Sequence, residues 1–203
     1  MADTKISDLT AASTLAGTET LPVVQSGTTK KATVDQVLAA APTTTNTHLT
    51  SKGNEGTGKD SLVAFLIPEN TLAVNGDRLE LEVAGAISAH VSNTYGIYID
   101  FGGESLFNPG LGANLPHPQA GMFNIKASIM RKSATSVAIS CICVIPPTET
   151  GVFSVVDPPM IFCWYDDATT VDLSTSLYLV FSGEGVSDND VIVQFATCTK
   201  YPA

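Results

Sequence analysis

Charge is what this chain has least of. Asp, Glu, Lys and Arg make up 15% of its 203 residues, against roughly 25% in an ordinary globular protein. The balance is lopsided as well, with 10 basic against 20 acidic side chains and a formal net charge of −10. Nucleic-acid binding draws its affinity from Lys and Arg that neutralise phosphates. The opposite balance, with no basic run longer than Lys30-Lys31, argues against nucleic acid as a partner and against docking on an anionic membrane. Long apolar runs are missing too. None approaches the roughly 20 residues of a membrane helix, so no membrane insertion is expected. The opening Met1-Ala2-Asp3-Thr4-Lys5 lacks a basic stretch followed by an apolar one; it does not read as a secretory signal, which places assembly in a cytoplasm. There is no sustained heptad and no internal repeat, which excludes a coiled-coil shaft.

Cysteine is sparse: Cys141, Cys143, Cys163 and Cys198, each inside an apolar, β-like stretch. Cys141 and Cys143 are two apart, share one face of a strand and point the same way, which suits neither a disulfide between them nor a zinc cage, since the second close pair is missing. They read as reduced, buried structural residues. The histidines His48, His90 and His117 are far apart and read as loop or surface residues. No metal and no cofactor is expected.

What is present is apolar material, 44% of residues, arranged in three zones. Residues 1–41 carry isolated apolar positions, then Leu21-Pro22-Val23-Val24-Gln25, a turn at Ser26-Gly27, and Thr28-Thr29-Lys30-Lys31-Ala32-Thr33, the pattern of a short hairpin. Thr33 and Gln36 form a capping box, opening a two-turn helix whose apolar face is Val34, Val37, Leu38 and Ala41 and which Pro42 stops. So short a helix is not stable alone and needs a packing partner. Residues 42–60, rich in Pro, Thr, Asn, Ser and Gly, read as a linker or extended arm. From residue 61 to 203 strand signals follow one another, near 61–67, 77–89, 94–101, 121–131, 135–146, 159–165, 175–182 and 190–199, with turns at Asn75-Gly76-Asp77 and Gly102-Gly103 and breaks at the prolines. No helix is expected there. Leu79, Leu81 and Val83 alternate with Arg78, Glu80 and Glu82, and Ile125, Ala127 and Ile129 with Lys126, Ser128 and Met130. This is the habit of antiparallel strands with one wet face. Ile139–Ile145 is apolar on both faces, as in a central strand or a subunit contact. The expected fold is mainly β, an antiparallel jelly-roll-like β-sandwich preceded by a hairpin and a short helix.

Few motifs carry chemistry. Gly53-Asn54-Glu55-Gly56-Thr57-Gly58-Lys59-Asp60 has the phosphate-loop spacing, but Asp60 stands where Ser or Thr should hold Mg²⁺, and a strand, not a helix, follows. Glu80 and Glu82 read as solubilising charges, Asp166-Asp167 as a turn. Asp188-Asn189-Asp190 reads as a turn too, since the remaining calcium-loop ligands are absent. Trp164 and Tyr165 beside these acids, with Tyr98 in the aromatic cluster Tyr95, Tyr98, Phe101 and Phe107, are candidate glycan contacts; the competing reading packs Trp164 in the core. No catalytic residue is assigned, and the chain is expected not to be an enzyme.

The stretch Lys5-Ile6-Ser7-Asp8-Leu9, then Leu15-Ala16-Gly17-Thr18-Glu19, then Leu21 through Thr33 resembles the N-terminal segments of tailed-phage and prophage fibre, tailspike and related virion proteins, in the pattern I-S-x-L-x-x-x-x-x-L-x-G-x-E-x-x-P-V-V-Q-x-G-x-T-K-K-x-T. More loosely, Ile67–Leu72, Asn75–Leu79, Phe101-Gly102-Gly103 and Ile129–Lys132 resemble a β-sandwich domain of phage virion proteins. The resemblance implies a short trimeric fibre or decoration subunit, located in the virion and bound to capsid, neck or tail proteins. Ile6, Leu9, Leu21, Val23, Val34, Val37 and Leu38 would form the anchor and residues 61–203 the outer domain. The alternative it allows is a receptor-binding protein whose sandwich grips a host surface glycan. The chain lacks a long β-helical body, which argues against a depolymerising tailspike.

Overall fold

The period-two patterning becomes a strand-built molecule in the computed structural model, which describes residues 20–25, 27–34, 43–88, 95–108, 121–145 and 160–203. The chain forms two compact units, Met1–Ala41 and Pro42–Ala203. In the first, β1 (Thr20–Gln25) and β2 (Thr28–Thr33) make the expected antiparallel hairpin, with Thr20 opposite Thr33 and Gln25 opposite Thr28. Gly27 sits at φ +75°, the left-handed conformation that a tight hairpin turn demands. Val34 is helical and buried. The rest of the expected helix, 35–41, lies outside the described residues.

The second unit contains β3 (Thr43–His48), β4 (Lys52–Gly53), β5 (Gly58–Ile67), β6 (Arg78–Ile87), β7 (Gly96–Phe101), β8 (Glu104–Phe107), β9 (Gly121–Ser133), β10 (Ser136–Ile145), β11 (Met160–Thr170), β12 (Leu177–Gly185) and β13 (Val191–Tyr201). A seven-stranded antiparallel sheet runs β11-β10-β9-β6-β13-β3, with β4 also on β13, and a four-stranded sheet runs β5-β12-β7-β8. The last two strands return beside β5 and β6, one in each sheet. This is the jelly-roll-like wrapping of a β-sandwich.

Alternation decides which side chains meet between the sheets. Leu79, Leu81, Val83 and Ile87 of β6, Phe123, Ile125, Ala127 and Ile129 of β9, and Ile139, Cys141, Cys143 and Ile145 of β10 are all buried. They share one core with Leu62, Val63, Phe65 and Ile67, Ile97, Ile99 and Phe101, and Leu179 and Phe181 of the smaller sheet. Phe123 and Phe181 stack across the layer at 5.8 Å. Burying each such side chain is worth about 1.5–3 kcal/mol. Gly85 is required beneath this stack, because a Cβ there would lie 2.0 Å from the Ile192 carbonyl oxygen and 2.5 Å from the Phe123 ring. In β13 a register shift between Val193 and Phe195 changes the inward set from Val191 and Val193 to Ala196 and Cys198.

The strands depart from the sequence reading in three places. Residues 42–60 are not a free arm: β3 and β4 pair with β13, and β5 begins at Gly58. Thr-rich segments suit an exposed edge strand as well as a loop. A further strand, β8, follows the Gly102-Gly103 turn, whose residues sit at φ +62° and +89°. Asp166-Asp167 is not a turn, because pairing with β10 carries β11 on to Thr170 opposite Ser136, across a register shift at Val137/Ile139.

Asn54 fastens the corner where β4 leads to β5. Its Nδ2 donates to the carbonyls of Gly56 (3.1 Å) and Ser187 (2.9 Å), and its Oδ1 accepts the buried Val191 N–H at 2.8 Å. Asn54→Ala strands these groups, at about 1–3 kcal/mol for each one left buried and unpaired; urea unfolding should show a midpoint lowered by at least 1 kcal/mol equivalent with an unchanged slope.

Asp77 holds the Asn75-Gly76 turn. Its Oδ2 accepts the Val74 N–H at 2.9 Å and its Oδ1 the Ala203 N–H at 3.0 Å. Burial pushes its carboxyl up, but these N–H groups and Lys200 outweigh burial and leave it below the ordinary carboxylate value. A depressed folded-state pKa contributes stability that is complete above the unfolded value of about 3.9 and is lost as pH falls through the folded value. Denaturant midpoints should therefore fall on acidification below about pH 4, and Asp77→Asn, less stable at neutral pH, should lose less over the same interval.

Candidate functional site

Of the anchor positions implied by the resemblance, Leu21 is exposed on β1 and Val34 is buried after β2. Val23 lies on β1 opposite Lys30. Ile6, Leu9, Val37 and Leu38 fall outside the described residues, as do His90 and His117. His48 ends β3, opposite Ala196.

The loop with phosphate-like spacing is closed by its own acids. The Glu55 N–H donates to Asp60 Oδ2 at 2.8 Å and the Gly56 N–H to Asp188 Oδ1 at 2.5 Å. Amides that would cradle a phosphate are thus already held by carboxylates. Asp188-Asn189-Asp190 is a turn: Asn189 sits at φ +62°, and Asp190 Oδ2 accepts the N–H groups of Val186 and Ser187, each at 2.8 Å. Among the described residues no group of three His, Cys, Asp or Glu is placed to hold a metal ion.

The three aromatic candidates do not converge. Trp164 lies on the inner face of β11, opposite Cys141, and meets Phe107 edge-on at 6.5 Å, yet remains 42% exposed because β11 lies at the margin of the larger sheet. Tyr165, 68% exposed, points to the other face of the same strand, opposite Ser140. Tyr98 belongs to the smaller sheet, on β7. Its hydroxyl donates to Glu184, and Lys59 Nζ stands 4.6 Å from its ring centroid while pairing with Asp100 at 2.6 Å. Burial, then Glu184, pushes the Tyr98 phenol up to about 12. Trp164 and Tyr165, adjacent in sequence, thus point to opposite faces of one strand, and Tyr98 lies in the other sheet.

Among the described residues, the outer face of the seven-stranded sheet carries exposed side chains that register divides into rows. Thr197, Glu82, Lys126, Ile142 and Cys163 form one; Phe195, Ala84, Asn124, Val144 and Ile161 form the next. Charge gathers on the middle strands, where Lys126 lies 3.4 Å from Glu80 and 3.2 Å from Glu82, and Arg78 lies 3.3 Å from Glu80. Hydrogen bonding to Glu82 and the charge of Glu80 raise the Lys126 pKa. Toward β10 and β11 the face becomes apolar, with Ile142 51% and Ile161 60% exposed beside the exposed Cys163. The two-faced hydrophobicity of 139–145 signalled this flank; the contribution of β11 was masked by reading its aromatics as glycan contacts.

No protein-family model matches the chain, and no curated protein matches it. Among solved structures it is similar to the VP2 subviral particle of infectious bursal disease virus, with a TM-score of 0.30 and 12% identity. That alignment covers 96% of this chain and 49% of VP2, so the chain spans about half the length of that protein. A likeness at this score has no bearing on function.

The cysteines differ sharply in setting. Burial pushes the thiols of Cys141 and Cys143 up to about 12, and Cys198 is buried too, whereas Cys163 is exposed. Reactivity follows the thiolate and its access. In the native protein at neutral pH a chromogenic disulfide reagent should titrate one thiol rapidly, and all four in denaturant; Cys163→Ser should abolish the rapid phase.

Proposed function

We infer that the chain is a structural subunit of a virus particle, and more specifically a short trimeric fibre or decoration subunit of a tailed phage. In this reading residues 1–41 hold other virion proteins of capsid, neck or tail, and the sandwich from Pro42 to Ala203 faces outward; the subunit is not an enzyme and resides in the virion after assembly in the host cytoplasm. One observation carries the reading. Within the stretch that resembles phage attachment segments, residues Leu21–Thr33 coincide with the β1–β2 hairpin, in a unit distinct from the sandwich.

The physical basis of attachment is burial. The exposed Leu21 gains about 1.5–3 kcal/mol when a partner covers it, and copies joined to one another multiply weak single contacts by effective concentration. A chain starting at Pro42 should fold and stay soluble but fail to join particles, and full-length Leu21→Asp should lower occupancy at least tenfold with an unchanged melting temperature. Particle occupancy measured by quantitative gel or mass spectrometry decides it. Full incorporation of the truncated chain would remove the anchor from the model.

A further inference from the structure

Asn75 is the one asparagine in the sequence that a glycine follows, and its side chain is exposed to water. Such a pair is chemically fragile, because a glycine without a Cβ lets its own nitrogen swing onto the preceding side-chain amide. The backbone here holds that nitrogen elsewhere. The Asp77 N–H donates to the Val74 carbonyl at 3.0 Å and Gly76 sits at φ +97°, so Val74–Asp77 is a type II turn with Asn75 and Gly76 at its corners. A type II turn sets ψ of its first corner residue to about +120°, which turns the Gly76 nitrogen away from the Asn75 side chain. The Gly76 N–H is also engaged, donating to the Arg131 carbonyl at 2.9 Å, while the Arg131 N–H donates to the Asp77 carbonyl at 2.9 Å. The Arg131 guanidinium reaches the carbonyls of Leu72 and Ala73 just before the turn. Asp77 closes it from within, accepting the N–H groups of Val74 and Ala203.

We propose that Asn75 is a modification site gated by this turn: intact while the turn is closed, and converted to isoaspartate and aspartate when the turn opens. In the first step the Gly76 nitrogen attacks Asn75 Cγ. A C–N bond forms, the Cγ–Nδ2 bond breaks, and the side-chain nitrogen leaves as ammonia, taking the proton that Gly76 gives up. Water then opens the resulting five-membered imide. Addition at the main-chain carbonyl yields isoaspartate, and addition at Cγ yields aspartate. No electrons are transferred, and water is the one co-reactant. Isoaspartate routes the main chain through the former side chain and lengthens it by a methylene, so the Val74–Asp77 turn no longer closes in register. Either product sets a new carboxylate close to Asp77, in a chain already at −10. A transient local opening, of the kind that native proteins undergo at less cost than global unfolding, thereby becomes a permanent change. The site rests on the turn and its partners and is independent of the attachment reading.

The test is to incubate the full-length protein at neutral pH, native and in guanidinium, and to follow the peptide that carries Asn75 by mass spectrometry and by enzymatic methylation of isoaspartate. The denatured chain should form the product at Asn75 at least tenfold faster than the native protein. Asp77→Asn, which leaves one oxygen to serve two N–H groups, should speed the native reaction at least fivefold. Ala203→Pro removes one of those N–H groups at the exposed chain end, outside the sandwich core, and should speed it at least twofold. Both variants should match the wild type within twofold in guanidinium, which separates an opened turn from altered chemistry, and Asn75→Gln should abolish the product. Equal native and denatured rates in the wild type overturn the gate. A denatured chain that forms no product at Asn75 overturns the site. Native rates unchanged in Ala203→Pro and in any folded Asp77→Asn protein also overturn the proposal, since global unfolding, not this turn, would then expose Asn75.

Discussion

A strand that puts every second side chain into a dry layer between two sheets is not free to slip, because a shift of one residue turns the whole buried set to water. That constraint runs through β6, β9 and β10, where the buried residues stand at strict alternation from Leu79 to Ile87, Gly121 to Ile129 and Ile139 to Ile145. The smaller sheet answers with Phe65, Phe101, Leu179 and Phe181. Other features follow from keeping that layer closed. Gly85 admits Phe123 toward Phe181, and the irregularity in β13 lets Val193 and Ala196 both point inward although they are three apart.

Closing the layer leaves a second problem, the backbone groups along its margins. On the β5 side the chain solves it with polar side chains, Asn46 and Lys52 reaching carbonyls of β5, and at the corner with Asn54 and the Asp188–Asp190 turn. These contacts use the Asn, Lys and acids that stand among the Thr and Gly of residues 43–60. Composition typical of a linker here belongs to a hem, where few side chains are buried and many backbone groups must be met.

What was legible in the sequence is what depends on period two. The hairpin at 21–33 and eight strands of the sandwich lie close to where alternation and turn residues put them, because side-chain burial and glycine conformation are local properties. β8 was missed although Gly102-Gly103 announced it: Glu104-Ser105-Leu106-Phe107 is too short for alternation to register. β3 was missed because Thr43-Thr44-Thr45-Asn46-Thr47 has no apolar alternation to register, its place being fixed by pairing with β13. The grouping of Tyr98 with Trp164 and Tyr165 misled for a related reason. Which sheet a strand joins is set by chain crossings between layers, and no local pattern reports them. Cys163 shows the same limit: on sequence it matched Cys141 and Cys143 as a buried thiol, but the register opposite Ile142 turns it outward.

The low charge content acquires a meaning from where the charges fall. Outside the smaller sheet's Lys59, Asp100 and Glu184, several concentrate on the middle strands of the larger sheet as Arg78, Glu80, Glu82 and Lys126, while its β10–β11 flank carries Ile142, Val144, Ile161 and Cys163 on the outer face. A net charge of −10 keeps copies apart at long range, where the repulsion is screened within about 8–10 Å at physiological ionic strength. Apolar contact and strand pairing act only at the shorter distance. Charge and apolar surface are thus segregated on this face, the paired charges on its middle strands and the exposed aliphatic side chains toward β10 and β11.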